Sequence, residues 1–73
     1  MNHDFWRSFY RWLETARKGA LIARRDAVRE LLRNRELQDR DVIAAARRII
    51  RLIDEEMVAR AEVFDLVKGR NRR

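Results

Sequence analysis

Apolar residues return at every third or fourth position through both halves of this 73-residue chain, and no proline interrupts them. A period near 3.6 residues gathers such side chains on one face of an α-helix, whereas a half-buried strand would need strict alternation. The pattern predicts an all-α fold. At about 100° of rotation per residue, Phe5, Trp6, Phe9, Tyr10, Leu13, Ala16 and Ala20 share one half of a helical surface. Arg7, Ser8, Arg11, Glu14, Thr15 and Lys18 take the other half. Beyond Gly19 the same phase continues through Leu21, Ala23, Ala27, Val28, Leu31 and Leu32. One helix over about residues 4–33 is the expectation. A break near Gly19, giving three helices, is the alternative, because glycine within a helix costs about 1 kcal/mol relative to alanine.

Residues 34–38 interrupt the pattern and read as a short turn. Gln38 or Asp39 then caps a second helix, with Leu37 and Val42 placed as a hydrophobic staple and Asp39 and Asp41 favourable in the first turn. This helix is expected over about residues 39–68. It carries two adjacent apolar stripes, one through Val42, Ala45, Ile49 and Leu52, the other through Ile43, Ala46, Ile50, Ile53 and Met57. Together they make a face about 180° wide, more than one neighbouring helix needs. Gly69 is the expected stop, leaving residues 69–73 as a basic flexible tail. The whole chain, 1–73, reads as a single helical domain: a two-helix antiparallel hairpin whose wide faces predict pairing of two copies into a dimeric four-helix bundle.

Length supports association. A chain of this size is near the lower limit at which one hydrophobic core sustains a fold, and it has no cysteine for a disulfide. With a single histidine, His3, no metal or cofactor site is expected. The longest apolar run, residues 42–46, is too short to cross a bilayer, and the N-terminus lacks the apolar stretch of a secretory signal. A reducing cytoplasmic setting is the expectation.

Two kinds of residue break the apolar faces. Glu56 and Arg60 lie four apart on the second helix, where a carboxylate and a guanidinium meet. A fold-back centred near residues 36 and 37 places Arg17 opposite Glu56. Arg17, Glu56 and Arg60 are therefore a candidate cluster fixing register, the alternative being that these long side chains reach out to water at the bundle edge. Asp54, Glu55 and Glu56 are consecutive, and helical rotation splays them too far apart to converge on one ion.

Five of the six aromatic residues, Phe5, Trp6, Phe9, Tyr10 and Trp12, fall within eight positions. With Arg7, Arg11 and Leu13 they form a candidate partner-binding face, since tryptophan, tyrosine and arginine are the types that dominate binding hot spots. The competing expectation has these rings plugging the open end of the bundle against Val63, Phe64 and Val67. No glycine-rich phosphate loop, catalytic carboxylate pair or activated nucleophile is present, so the chain reads as non-enzymatic. The favoured function is an adaptor, regulator or inhibitor of a larger protein.

Nucleic-acid binding is the alternative. The net charge is +6, Arg24, Arg25, Arg29, Arg33 and Arg35 cluster before the turn, and Arg70, Arg72 and Arg73 end the chain. Asp26, Glu30, Glu36, Asp39 and Asp41 dilute that patch, and no nucleic-acid-binding motif accompanies it. Interfacial membrane binding by the first 18 residues is the weakest reading, because the second helix has a wide apolar face of its own that calls for a folded partner.

Overall fold

A side-chain oxygen of Asn2 accepts the backbone N–H of Phe5 at 2.9 Å and so caps the start of α1, His3–Thr15. Two further helices follow, α2 (Lys18–Arg33) and α3 (Arg40–Arg70), in a computed structural model that describes the backbone of residues 2–70 and the side chains of residues 2–63. All regular structure among the described residues is α-helical.

The single helix expected over residues 4–33 does not form; the alternative, three helices with a break near Gly19, is the arrangement observed. Ala16 (φ −68°, ψ 144°) and Arg17 (φ −72°, ψ 156°) are extended and separate α1 from α2. The interruption falls just before Gly19, which lies inside α2 with open space where a Cβ would project. Each chain is thus a three-helix unit, and a bundle built from two-helix copies is corrected accordingly.

Periodicity could not locate this break, because the apolar phase runs through it unchanged. The reason for it is tertiary. Reversal at residues 16–17 folds α1 back so that Phe9 and Leu13 pack with Leu21 of α2 and Ile49 and Ile53 of α3. Phe9, Leu21 and Ile53 are at most 2% exposed. Burying side chains of this size contributes about 1.5–3 kcal/mol each. The helical hydrogen bonds given up at the break are worth about 0.5–1.5 kcal/mol each. Packing wins.

The connection between α2 and α3 is a Schellman motif. Arg35 N–H donates to Leu32 O at 3.2 Å and Glu36 N–H to Leu31 O at 3.1 Å, satisfying carbonyls at the end of α2. Arg35 adopts the left-handed conformation this motif requires, with φ 55°, at a position where glycine is the usual occupant. Asp39 is the cap of α3: its Oδ1 accepts the N–H groups of Asp41 and Val42 at 2.8 and 3.3 Å. Gln38 plays no such part. α3 continues to Arg70, past the glycine expected to end it.

The helices pair in a register other than the one a fold-back about residues 36 and 37 implies. Arg25 and Arg29 both meet Asp54, where that fold-back places residues 48 and 44. α3 is about 46 Å long by helical rise. From Ala61 to Val63 every side chain is exposed.

Candidate functional site

The aromatic segment divides into an inner and an outer set. Phe9 and Leu13 are buried, and Phe5, Trp6 and Trp12 pack half-buried around them. Phe5 stacks on Phe9 with ring centroids 6.1 Å apart, and Trp6 stands edge-on to both, at 5.1 and 5.8 Å. These offset and edge-to-face geometries suit the ring quadrupoles.

Arginines from the other helices hold the rings in place. From α2, Arg24 lies over Trp12 at 4.5 Å and Phe9 at 5.2 Å. From α3, Arg48 lies over Trp6 at 4.2 Å and donates to the Tyr10 hydroxyl at 2.9 Å. Guanidinium groups over aromatic faces contribute about 0.5–1 kcal/mol at exposed sites and more where water is excluded. What remains outward is Tyr10, 39% exposed, the half-buried Trp6, and the exposed side chains of Arg7 and Arg11. Spacing within α1 could identify the common face; it could not reveal Arg48, whose role depends on α1 lying back along α3.

The rings do not sit at the level expected of an end plug. They pack beside Ile49 and Ile53, while Val63 is 62% exposed. The side chains of Phe64 and Val67 lie outside the described residues.

Arg60 occupies the junction between α1 and α3. Its Nε donates to Glu56 Oε1 at 2.9 Å, its Nη1 to the Ala16 carbonyl at 2.7 Å and its Nη2 to the Leu13 carbonyl at 3.0 Å. The last turn of α1 has no basic residue of its own. A guanidinium from another helix supplies both the missing hydrogen bonds and a positive charge at the negative end of the helix dipole. Glu56 and Arg60 therefore meet at the spacing read from the sequence. Arg17 is exposed, makes no ion pair among the described residues, and marks the extended step before α2.

The arginines before the turn are largely occupied within the chain. Arg24 covers the rings, Arg25 reaches Asp54 at 3.0 Å, Arg29 reaches Asp54 at 3.4 Å, and Arg33 pairs with Glu30 at 3.0 Å. The hydrogen bond to Asp54, helped by the nearby charges of Asp54 and Asp26, holds the Arg25 guanidinium pKa above its ordinary value. Arg35 serves the turn through its backbone, and its side chain is exposed. The side chains of Arg70, Arg72 and Arg73 lie outside the described residues.

One apolar groove opens between the start of α2 and the middle of α3. It has a volume of about 680 Å³, with Leu21, Met57, Val58 and Ala61 along it and Lys18, Arg25, Asp54 and Arg60 at its sides. The three consecutive carboxylates diverge as helical rotation requires: Asp54 faces Arg25 and Arg29, Glu55 faces Arg51 at 3.9 Å, and Glu56 faces Arg60. Among the described residues no three histidine, cysteine or carboxylate side chains gather as metal ligands would, and no helix is long and apolar enough to cross a membrane. No protein-family model, curated protein or solved structure matches this chain.

Proposed function

We propose that this chain is a non-enzymatic protein-binding module that acts by stoichiometric contact, as an adaptor, regulator or inhibitor of a larger protein. The observation that carries the reading is the outward patch of α1. Trp6 and Tyr10 are both held by Arg48, and Arg7 and Arg11 flank them. A surface aromatic fixed in advance loses little conformational freedom when it docks, and these residue types contribute most to interface energies. The buried members of the aromatic segment, Phe9 and Leu13, serve this reading only indirectly, by anchoring the helix that displays the patch.

Combining Tyr10→Ala with Arg7→Ala and Arg11→Ala tests it. All three residues are exposed, so helix content should be retained; Tyr10→Ala also gives up the bond from Arg48, so a Tyr10→Phe variant carrying both arginine changes serves as the stability-matched control. Loss of a stoichiometric partner from the immobilised variant, against its capture by the unaltered chain, is the expected outcome. Equal capture by both contradicts the α1 patch.

Self-association belongs to the same proposal. Among the described residues seven hydrophobic side chains are buried, a small core, and a second copy is the simplest source of further burial. Nucleic-acid binding is less favoured, because Arg24, Arg25, Arg29 and Arg33 are already engaged with rings or carboxylates of the same molecule.

A further inference from the structure

We infer that two copies of this chain exchange α1: the step at residues 16–17 closes into helix, α1 becomes continuous with α2, and each α1 docks on the α3 of the other copy. This rests on the self-association reading and names the contact through which it occurs. Three observations carry it.

The first is the set of backbone bonds missing at the reversal. The helical series stops with Ala16 N–H donating to Trp12 O at 2.8 Å and resumes with Leu21 N–H donating to Arg17 O at 3.0 Å. The four bonds between them, from Arg17, Lys18, Gly19 and Ala20 to Leu13, Glu14, Thr15 and Ala16, are not made. No residue type at the step forbids them. Alanine and arginine are strong helix formers, Gly19 is already helical, and the apolar phase runs through unchanged.

The second is what takes their place. Arg60 donates to the Leu13 and Ala16 carbonyls, the first and last of the four acceptors that a continuous helix uses. Arg60 and the straightened helix therefore compete for the same two oxygens. With Glu56 fixing its orientation, the guanidinium is a latch on the folded-back form. Once the latch is released, all four acceptors can be filled from within the helix.

The third is direction. α1 lies along α3 in the same sense, with Tyr10 at Arg48 and then Leu13 and Ala16 at Arg60. α2 lies along it in the opposite sense, with Lys18 beside Met57 and Ala61, and Arg25 and Arg29 at Asp54. Straightening turns α1 antiparallel to its own α3 and lifts Phe9 and Leu13 off Ile49 and Ile53. An α3 that receives α1 in its original sense must then lie antiparallel to the first, as a two-fold axis places it. Phe9 and Leu13 meet Leu21, Ile49 and Ile53 of the other copy, and Arg48 of that copy holds Trp6 and Tyr10. Exchange keeps the buried contacts of the single chain, adds four helical bonds to each copy, and fills both α1 sites, so the pair is closed to further growth.

Sedimentation equilibrium of the full chain, with Arg17→Pro and Arg60→Met alongside, tests the exchange. A concentration-dependent monomer–dimer equilibrium is expected for the unaltered chain. Proline at position 17 suits the extended step but cannot donate to Leu13 and clashes within a helix, so Arg17→Pro should weaken dimerisation at least about a hundredfold. Arg60→Met removes the competing latch and should tighten it about tenfold. Because the chain has no cysteine, Tyr10→Cys/Arg48→Cys treated with a short bismaleimide reports which copy each α1 lies on. Bridges should join two chains in the dimer and stay within one chain in the monomer. A chain that remains monomeric, with and without Arg60→Met, overturns both the association reading and the exchange. A dimer indifferent to Arg17→Pro and Arg60→Met, or bridged only within single chains, overturns the exchange alone.

Discussion

Arg60 joins the end of α1 to α3 through two backbone carbonyls. One guanidinium closes the end of α1 through two carbonyls while Glu56 fixes its orientation, so its contribution is directional. Arg60→Met keeps much of the apolar stem and removes these bonds. It should cost about 1–2 kcal/mol, a value below the full range for charged hydrogen bonds because the side chain is 34% exposed. Arg17→Met, at an exposed position, should change stability by less than about 0.5 kcal/mol. Urea melts of the two variants compare them directly, and equal losses would remove the capping role. Arg35 makes the opposite case. Its φ of 55° strains an L residue, so Arg35→Gly should stabilise the chain by about 0.5–1 kcal/mol in the same assay. A loss of stability would show that the Arg35 side chain contributes more than its backbone strain costs.

At the scale of elements, α3 was the most legible part of the fold. Its two stripes, its aspartate cap and its Glu56–Arg60 spacing all follow from residue order, because each is a local property of one helix. The junction between α1 and α2 was legible only as an alternative, a break near Gly19, and not in its exact place. Ala16 and Arg17 carry no local stop signal, and the apolar phase continues through them, so only packing against Ile49 and Ile53 selects the extended step. The same limit applied to the aromatic segment. Residue order grouped the rings on one side of a helix, but the division into buried Phe9 and outward Tyr10 depends on which helix α1 meets. Register was misplaced for a related reason: a count from the turn assumes helices that track each other residue for residue, whereas Arg25 and Arg29 converge on Asp54. Gly19, near which the break falls, is itself helical. With open space at its Cβ position, Gly19→Ala should raise stability by about 0.5 kcal/mol, read from the thermal midpoint. A drop would mean that α2 does not begin where Lys18 places it.

For the whole molecule, the decisive feature is reversal of the chain at residues 16–17. That reversal puts α1 beside the stretch of α3 from Arg48 to Arg60 and gives the aromatic segment a core to join. Arg17→Pro probes it directly. Proline fixes φ near −65° and favours an extended residue before it, and the structure has φ −72° at Arg17 and ψ 144° at Ala16. The Arg17 N–H donates no hydrogen bond among those of the described residues, and the Leu13 carbonyl takes a bond from Arg60. The thermal midpoint of Arg17→Pro should therefore equal or exceed that of the unaltered chain. If α1 and α2 were one continuous helix, the same proline would lie in its interior, and a loss of about 3 kcal/mol or more would contradict the reversal.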